Sequence, residues 1–532
     1  MITIFSKYRK GAVKTVGMLV TGLTFCLLTS CGDFLEIVPE NNLPVDNFWT
    51  SKSDVDASLS SGYYYLRTLA QDGTGSSLLE WGEHRAGVIY YTGSSALQSY
   101  TVKATTSSAK WGTLYQIINQ ANLVLEHAAQ AQASDQTYTQ QELNSHYCEA
   151  YFLRALAYFY IVRNWRDAPL SLRGYETDET PLLLPKSSEA EIIAQIKKDL
   201  NTAIELGAAK DQWDTTWETK GKATSWSIYA LMADVCLWNH DFDECIKYCD
   251  KILEDKTGLA PKFISTNTHA AWFAMFCPGN SDESIYEVQW NADKLSNNAA
   301  QVNQLYNLFS PTSSNYYRMS TQAGMDFQQD WIETINISRT TDESAAVRTQ
   351  YGSYYSPGGN TTKYIWKYLG DNASMTQQRT VFDNNFIIYR VSEVMLMKAE
   401  ALIMRTCGQS DDDKAEAVAL INKIRTRTNL STLNADALTD LSSLMDALLY
   451  ERVMEFVGEG KAWYDFLRVA RYTDTNGVVD FKEYFINKVL SYQEGATASR
   501  IKSVLMNENA WYLPVPDSEI KVNGLLLQNP YY

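Results

Sequence analysis

The sequence is poor in the residues that turn or cross-link a chain. Its 532 residues include 27 glycines and 12 prolines, together about 7 per cent against a usual value of about 12 per cent. This shortage disfavours turn-rich all-β folds and long linkers. Eight cysteines are too few for a disulfide scaffold in a chain of this length. The composition therefore favours a mainly α-helical protein, with two or three average domains or one large helical body.

The sequence also lacks the usual components of a catalytic site. It has five histidines and no Gly-x-Ser-x-Gly, His-Glu-x-x-His or phosphate-loop motif. Among 62 acidic residues, some carboxylate pairs will lie at the separation that glycoside hydrolysis uses. The presence of such pairs therefore does not distinguish an enzyme from a binding protein. We predict a protein that is not an enzyme and that needs no cofactor or metal. A glycoside hydrolase is kept as a lower-ranked alternative.

Positive charge is scarce, and long apolar runs are absent after residue 30. The formal net charge of the chain is −16, and it becomes −20 once the first 30 residues, which carry four basic and no acidic side chains, are removed. This sign argues against nucleic acid as a partner, because nucleic acid attracts basic surfaces. No later apolar run approaches the roughly 20 residues that a membrane-spanning helix needs. We therefore predict that the mature chain does not cross a membrane.

The amino terminus has the layout of a signal peptide. Four basic residues at positions 7–14 precede a mostly apolar run at 16–29. The tripeptide Leu28-Thr29-Ser30 directly before Cys31 resembles a bacterial lipobox, after which the cysteine is acylated. Two or three acyl chains would hold a soluble body at a membrane surface. We interpret Cys31 as this anchor. The alternative is an ordinary secretory signal cut nearby, with Cys31 free or in a disulfide.

One segment of the first half fits a tetratricopeptide repeat, a helix-turn-helix unit of about 34 residues. With Ala233 at the small position of the first helix, residues 239–243 form the turn. Cys236, Cys245 and Cys249 then fall on inward packing positions. Free cysteine packs as a small hydrophobe, and no histidine or fourth cysteine has zinc-site spacing, so core packing is favoured over metal ligation. A looser second unit reads "YRVSEVMLMKAEALIMR" and "KAEAVALINKIRTRTN".

Other helices and two irregular intervals complete the predicted organisation. Ser53 and Asp56 form a variant of the capping box, and helical spacing follows to about residue 70. The interval 73–108 is predicted to be loop with short irregular elements. Between about 261 and 386 the helical period fades. Apolar runs at 285–290 and 363–369 could be strands there.

Several motifs, taken together and in order, resemble the SusD/RagB family of outer-membrane lipoproteins from Bacteroidetes. The resemblance begins with "CGDFLE" at the anchor and Asn47-Phe48-Trp49, and it covers almost the whole chain. Its later parts are Trp111, Tyr115, Ile118 and Asn122, then "YFLRALAYFYIVRNW", "YRVSEVMLMKAEALI", "ERVMEFVGEGKAWYDFLR", "YLPVPDSEI" and "QNPYY". Lys461 stands where the family more often has Arg, and Tyr531 replaces the usual Gly before the final Tyr532. Both departures fall in motifs that we interpret as structural.

The resemblance implies a SusD-like fold, with tetratricopeptide-type helix pairs and an irregular, loop-rich ligand-binding region with short strands. Members of the family are similar in capturing oligosaccharides at the cell surface, whereas members of the RagB branch capture peptides. They deliver the ligand to a partner SusC-like TonB-dependent outer-membrane transporter and act as its lid. They are binding proteins. Asp33 and Glu36 resemble the acidic signal that directs lipoproteins of this phylum to the outer face. A pure tetratricopeptide interaction scaffold is the other alternative. The implied divisions are the signal peptide 1–30, an amino-terminal region 31–260, an irregular region 261–389 and a carboxyl-terminal region 390–532.

The predicted ligand site follows from the chemistry of sugars. A site that binds sugars needs exposed aromatic rings, with hydrogen-bonding groups beside them. The segment "EWGEHRAGVIYY" supplies both, in an interval where the family tends to place ligand contacts. For His84, in the same segment, hydrogen bonding is favoured over catalysis. Burial in the protein body is the alternative for every aromatic in the set. The predicted ligand-binding residues are Trp81, Glu83, Arg85, Tyr90 and Tyr91, with Tyr316, Tyr317, Tyr354 and Tyr355 from later loops.

Overall fold

The computed structural model describes residues 48–71, 75–176, 183–266, 268–290, 305–338, 348, 352–356, 362–370, 377–379, 384–494 and 498–532. The signal peptide, Cys31, Asp33 and Glu36 lie outside the described residues. Residues 51–532 form one compact unit. The boundaries predicted within this unit stay predictions.

The chain is mainly α-helical, as predicted. The helices and strands of the first part are α1 Lys52–Ala70, α2 Ser77–Glu83, β1 Ile89–Tyr91, α3 Gly112–Ser134, α4 Gln140–Trp165, β2 Ala168–Pro169, β3 Lys186–Ser187, α5 Glu189–Leu206, α6 Thr216–Gly221, α7 Ser225–Trp238, α8 Phe242–Leu253, α9 His269–Phe276 and β4 Ser284–Val288. Those of the second part are α10 Leu305–Phe309, β5 Tyr317–Met319, α11 Thr321–Ser338, β6 Tyr354–Tyr355, β7 Tyr364–Ile365, β8 Phe386–Arg390, α12 Val391–Arg405, α13 Asp411–Arg427, α14 Leu441–Phe456, α15 Ala462–Ala470, α16 Phe481–Tyr492, α17 Ala498–Leu505 and α18 Asp517–Val522.

The central helix of the first half is α4. It begins at a capping box of Thr139 and Glu142, and nearly all of its later residues are buried. Helices α3 and α5 both pack against it, which explains why the helix is buried on more than one face. Arg154 reaches from α4 to Asp199 in α5, with Nε and Nη2 at 2.8 and 2.7 Å from the two carboxylate oxygens. The helices are thus joined by packing and by a buried ion pair.

The two predicted tetratricopeptide-type units are present as α7–α8 and α12–α13. The first turn lies between Trp238 and Phe242, as expected. Cys236, Cys245 and Cys249 are fully buried, which confirms their packing role. Helix α8 also packs against α12. Two helix pairs far apart in the sequence therefore form one continuous layer.

The irregular intervals contain more regular structure than the sequence indicated. The capping box of the first helix lies two residues earlier than predicted, at Ser51 and Asp54. The interval 73–108 contains α2 and β1, and the interval 261–386 contains α9 and the 18-residue α11. In α11 the buried stripe includes Asp330 and Thr334, so the helix lacks the apolar period that would have revealed it.

In the part of the chain that the structure describes, three small antiparallel sheets lie among the helices. The predicted strand at 285–290 is confirmed as β4, which pairs with β8. The predicted strand at 363–369 is only two residues long and belongs to a four-stranded sheet with the order β1-β5-β7-β6. The third sheet joins β2 to β3. Strands this short are not stable by themselves, so their neighbours must hold them in place.

A buried ion network attaches the irregular region to the carboxyl-terminal helices. Glu455 on α14 forms ion pairs with Arg348, Arg390 and Arg427. Lys367, which follows β7, lies 2.8 Å from Glu459. These side chains are almost completely buried, and burial of a charge is costly unless the charge is paired. The network therefore fixes the irregular segments against α12, α13 and α14.

The two departures from the family motifs have local partners. The ammonium of Lys461 lies 2.9 Å from Glu393 Oε2 and donates a hydrogen bond of 2.6 Å to the carbonyl of Ile388. The positive charge is thus used without the planar fork of an arginine. At the other departure, the N–H of Tyr531 donates to Asn529 Oδ1 at 3.1 Å, and the Tyr531 ring meets that of Tyr532 edge to face.

Candidate ligand-binding surface

The four-stranded sheet brings together most of the aromatic residues predicted from separate loops. In its antiparallel register Tyr90 is opposite Arg318, and Tyr91 is opposite Tyr317. Arg318 is also opposite Tyr364, and Tyr364 is opposite Tyr355. Residues that oppose each other in a sheet point to the same side. The register therefore sorts these side chains onto two faces.

One face of the sheet is half-exposed and rich in tyrosine. Its members are Tyr90, Tyr355 and Tyr364, with Arg318 between them, and each is partly exposed. Tyr316 lies two residues before Arg318 and so on the same side. Its ring centroid is 5.9 Å from that of Tyr364. We call the surface formed by Tyr90, Tyr316, Arg318, Tyr355 and Tyr364 the tyrosine face.

The opposite face of the sheet belongs to the protein core. Tyr317 and Tyr354 on this side are 1% and 0% exposed. Tyr91 lies at its edge and remains half-exposed, with its ring centroid 4.9 Å from that of Tyr317. The side chain of Gln98 brackets the Tyr91 backbone, accepting from its N–H at 2.7 Å and donating to its carbonyl at 3.4 Å. Tyr91 is therefore held in a defined position at the rim.

Arg318 connects the tyrosine face to Glu494. Its guanidinium carbon lies 4.3 Å from the ring centroid of Tyr90. Two of its nitrogens are 2.9 and 2.7 Å from the two carboxylate oxygens of Glu494. Burial acts to raise the pKa of Glu494, but the hydrogen bonds and charge of Arg318, together with hydrogen bonds from Thr321, outweigh it and the net pKa is lowered. A charged, bidentate pair therefore fixes the orientation of one aromatic ring.

The structure corrects the expectation that Trp81 is an exposed plate. Its side chain is 1% exposed, its indole N–H donates to the carbonyl of Ser108 at 2.7 Å, and its ring meets Trp165 edge to face. The cause is the close docking of α2, because a Cβ on Gly82 would lie 1.9 Å from the carbonyl oxygen of Gly460. Trp81 is therefore a core residue.

Glu83 is also buried, and it holds a backbone turn. Its Oε1 accepts hydrogen bonds from the N–H groups of Gly458, Glu459 and Gly460 at 2.9, 3.1 and 3.0 Å. Burial raises the pKa of Glu83 to about 8, although these N–H donors oppose the shift. Its side chain is 0% exposed, so the structure does not place it beside an exposed ring. Its contacts attach α2 to the turn after α14.

Arg85 and the neighbouring His84 likewise point inward. Arg85 is 2% exposed and donates from Nη1 to the carbonyl of Trp511 at 2.6 Å. His84 Nδ1 lies 3.0 Å from the hydroxyl of Ser95, and burial lowers the pKa of His84 to about 3. The imidazole is therefore neutral at physiological pH. Of the predicted set, Tyr90, Tyr91, Tyr316 and Tyr355 remain partly exposed, while Trp81, Glu83, Arg85, Tyr317 and Tyr354 are buried.

Sequence reasoning missed two members of this surface, Tyr364 and Arg318, and the partner of Arg318, Glu494. Tyr364 was overlooked although "TKYIWKY" is dense in aromatics, and its alternation with buried Ile365 was too short to identify a strand. Arg318 and Glu494 are separated by 176 residues, and no local pattern connects them. Within the part of the chain that the structure describes, no group of three or more His, Cys, Asp or Glu side chains could hold a metal ion.

Two family models match most of the chain. Residues 337–532 match the model of the SusD family. Residues 33–237 match a second model, described as starch-binding and associating with the outer membrane. The chain belongs to the SusD/RagB family. Proteins of the SusD family are associated with the outer membrane. None of the described helices of this chain is both long enough and apolar enough to cross a bilayer.

Individual relatives agree with this family assignment. The SusD/RagB chain is 24% identical to the SusD-like protein P38 of Formosa agariphila over 85% of its length and 91% of that protein. It is 24% identical to a SusD-like protein of Bacteroides ovatus over 96% and 97% of the two chains. The relatives therefore match it along nearly their whole length.

Solved structures share the fold. A SusD superfamily protein from Bacteroides thetaiotaomicron has a TM-score of 0.68 at 21% identity, covering 91% of this chain and 99% of that chain. A laminarin-binding SusD-like protein has a TM-score of 0.65 at 19% identity, covering 91% and 100%. At these identities the likeness establishes the fold of this SusD/RagB protein.

Proposed function

We propose that this SusD/RagB protein captures oligosaccharides at the cell surface on its tyrosine face. The observation that carries the proposal is the convergence of half-exposed rings, Tyr90, Tyr316, Tyr355 and Tyr364, on one side of a small sheet. Sugar rings present apolar faces edged by hydroxyl groups. Tyrosine offers an apolar ring with a polar end, so it suits both features. Membership of a family with a starch-binding description supports the same ligand class.

The expected affinity is modest. A ring that covers ~100 Å² of sugar contributes roughly 2.5 kcal/mol at about 25 cal/mol per Å². Three such rings contribute roughly 7 to 8 kcal/mol, whereas association costs an estimated 4 to 15 kcal/mol. With hydrogen bonds added, a dissociation constant of roughly micromolar to millimolar is expected. Retention of the ligand by a neighbouring transporter would raise the effective affinity.

We infer that the protein hands its ligand to a SusC-like TonB-dependent transporter and acts as its lid. The family resemblance supports this partnership, and the lipobox before Cys31 supports an acyl anchor on the outer membrane that faces outward. Co-purification of a TonB-dependent transporter with the full-length protein from its own membranes would support the proposal. Soluble release of the wild-type protein into the medium would contradict the anchor.

We also infer that the protein binds without catalysis. His84 is buried and neutral, and Glu494 is paired with Arg318, so neither supplies a free acid or base to the tyrosine face. Incubation of the purified protein with a polysaccharide that it binds should release no reducing ends. A steady release that scales with protein concentration would contradict this inference.

The decisive experiment is isothermal titration of the mature chain, beginning at residue 32, against plant, microbial and host oligosaccharides, with mixed peptides included. Tyr316→Ala and Tyr364→Ala should each weaken glycan binding about tenfold or more, since each removes a stacking surface. Tyr64→Ala is the matched control, because Tyr64 is 55% exposed on α1 and lies outside the tyrosine face. It should leave glycan binding unchanged.

Three results would overturn the proposal in different ways. A binding heat with peptides and none with glycans would show that the ligand is a peptide, as in the RagB branch. Glycan binding that survives both Tyr316→Ala and Tyr364→Ala would move the site away from the tyrosine face. Equal losses in these variants and in Tyr64→Ala would show a general effect on folding instead of ligand contact.

A further inference from the structure

Exposed aliphatic side chains are concentrated in one part of this molecule. In the ranges that the structure describes, eight leucine, isoleucine and valine residues are exposed, and single residues of this kind are common on protein surfaces. Four of the eight, however, lie on two segments that touch each other. We call these four residues the leucine patch, and they are Leu183, Val522, Leu525 and Leu527, with exposed fractions of 47%, 75%, 53% and 74%.

The leucine patch is formed by the chain before β3 and by the chain at the end of α18. Asn523 Nδ2 donates a hydrogen bond of 2.8 Å to the carbonyl of Leu184, so Leu183 and Val522 each stand one residue from a direct contact. The other two members of the patch follow within five residues of Val522. The four side chains therefore lie in one region of the surface.

Residues 522–531, which we call the tail, reverse the usual placement of polar and apolar side chains. Asn523 and Asn529 are each 7% exposed. Leu525 and Leu527 are exposed although Leu526 between them is buried, and this alternation directs the first and third side chains to one side. Folding normally removes leucine from water and leaves amides in it. The reversal indicates that the outward leucines meet another surface.

The tail is fixed in this orientation by its own polar side chains. Asn529 Nδ2 donates to the carbonyl of Asn509 at 3.1 Å. The side chain of Gln528 accepts from the N–H of Val515 at 2.7 Å and donates to the carbonyl of Val515 at 2.9 Å. With Asn523 bound to the chain before β3, the tail is held near both of its ends. The leucines are therefore presented outward before any partner arrives, which lowers the entropy cost of association.

The lack of charged side chains on the tail distinguishes between classes of partner. Residues 522–531 contain no Asp, Glu, Lys, Arg or His, and Lys521 just before them is paired with Asp517 at 2.6 Å. Segments that bind lipid surfaces combine apolar side chains with lysine or arginine, which the tail lacks. Self-association would bring together two chains that each carry a formal charge of −16, and their repulsion opposes it. An apolar area without charged side chains is typical of the core of an interface with a different protein.

The size of the leucine patch also suits the core of such an interface. Its four side chains leave roughly 400 Å² exposed, about half of the ~800 Å² that each partner buries in a standard interface. The rest of a standard interface is a polar rim, which the surrounding surface would supply. The patch is therefore large enough to carry the apolar part of a stable contact.

We propose that the leucine patch is the surface on which the SusC-like transporter docks. The identity of the partner rests on the proposed function, whereas the docking surface follows from the tail itself. The contacting surface of the transporter should be apolar and free of charged side chains. The leucine patch shares no residue with the tyrosine face, so docking and ligand capture use different side chains of this chain.

The test measures how much transporter accompanies the full-length protein. The protein is immunoprecipitated from detergent-solubilised outer membranes of its own cells, and the TonB-dependent transporter is identified and quantified by mass spectrometry. Changing Leu525 and Leu527 together to Asn should lower the amount of transporter per lipoprotein about tenfold or more, because polar amides replace the apolar contacts. Leu183→Asn, on the other segment of the patch, should lower it a few-fold.

The matched control changes two exposed aliphatic residues outside the patch. Leu259 and Val478 are 42% and 80% exposed, and their joint change to Asn should leave the amount of transporter unchanged. All of these positions are on the surface, so thermal midpoints should stay close to that of the wild type. If the double variant of the tail fails to fold, Leu183→Asn decides, because transporter at the level of the control would contradict the docking surface.

The outcomes separate the docking surface from the proposed function. No transporter with the wild-type protein would overturn the partnership itself. Equal transporter with the double variant of the tail and with the control would overturn the docking surface and leave the partnership standing. A dimer of the mature chain in sedimentation, or its binding to vesicles of phosphatidylethanolamine and phosphatidylglycerol, would also overturn the docking surface if the double variant of the tail abolished it.

Discussion

The helix pairs and the tyrosine face are held together by different forces. In α7–α8 and α12–α13 the fully buried contacts come from apolar side chains and from the small thiols of Cys236, Cys245 and Cys249, and ion pairs such as Lys398–Glu416 lie at the partly exposed edge of the layer. The strands beneath the tyrosine face are two or three residues long, and buried ion pairs attach their surroundings to the helices. Long helices supply their own packing surface, whereas short strands depend on long-range anchors. The difference makes distinct predictions for the two regions.

The largest effect on stability is expected when the buried ion network loses the carboxylate of Glu455, which three arginines share. Glu455→Gln removes the carboxylate that Arg348, Arg390 and Arg427 share. Each arginine keeps another carboxylate partner, but the buried network is left one negative charge short. The free energy of unfolding should fall by about 3–5 kcal/mol, as measured by chemical denaturation. Glu416→Gln, which removes a half-exposed partner of Lys398 in the helical layer, should cost about 1 kcal/mol or less. Similar losses for the two variants would show that the network is no special anchor.

Replacing Trp81 tests whether it contributes to stability or to ligand binding. Trp81→Phe removes part of a fully buried ring and its hydrogen bond to Ser108. We expect a loss of about 2 kcal/mol in unfolding free energy, with unchanged glycan affinity of the folded protein by titration. Trp217→Phe is a suitable control, because Trp217 is 41% exposed. A selective loss of glycan binding in Trp81→Phe would contradict the corrected role.

The buried carboxyl of Glu83 predicts a pH dependence of stability. Its pKa of about 8 in the folded state lies above its usual value of 4.5. As the pH rises, the unfolded chain therefore releases this proton at a lower pH than the folded chain does. The contribution of Glu83 to the free energy of unfolding is fully present below pH 4.5 and is lost as the pH rises towards 8.

Thermal unfolding at a series of pH values would measure this contribution. The midpoint should fall by a few degrees between pH 5 and 8, and Glu83→Gln should remove that part of the slope while keeping an acceptor for the three N–H donors. An unchanged slope in Glu83→Gln would show that Glu83 is ionised in the folded protein.

The smallest effect on stability is expected at Arg318. Its pair with Glu494 is partly exposed, so Arg318→Met should cost about 1 kcal/mol or less. The ring of Tyr90 would lose its cationic neighbour, and we expect glycan affinity to fall a few-fold in titration. Arg67→Met removes a similar contact to the exposed Tyr64 ring and should leave affinity unchanged.

The Arg318 pair should also respond to acid. Because the pKa of Glu494 is lowered in the folded state, its contribution is present above its usual value of 4.5 and is lost as the pH falls through the lowered value. Thermal unfolding between pH 5 and pH 3 should therefore show a loss in the wild type that Glu494→Gln lacks. An identical acid response in the two proteins would contradict this assignment.

Much of the helical architecture was predictable because local signals specify it. The period of apolar residues predicted α1 within two residues, and the repeat template predicted both tetratricopeptide-type pairs. Helix α11 escaped because Asp330 and Thr334 occupy its buried stripe. Asp330 is buried since it pairs with Arg348, and a contact of that kind leaves no mark in a local window.

The sequence predicted that tyrosines form the candidate site, but it did not predict which of them are exposed. Tyrosine-rich segments around residues 90, 316 and 355 do converge, although they are far apart in the chain. Which tyrosines face outward could not be read from strands of two or three residues, because alternation over so short a length defines no face. The burial of Trp81 depends on Gly82 meeting Gly460, a contact across the chain.

The sequence by itself determined the helical class, the family and the supply of tyrosines, because periodicity, motifs and composition are local properties. Only the tertiary structure decided that Tyr90, Tyr316, Tyr355 and Tyr364 share a face, that Trp81 belongs to the core, and that Leu525 and Leu527 are exposed. Pairing of strands and of buried charges joins residues hundreds of positions apart. Which residues meet is therefore decided when the whole chain packs.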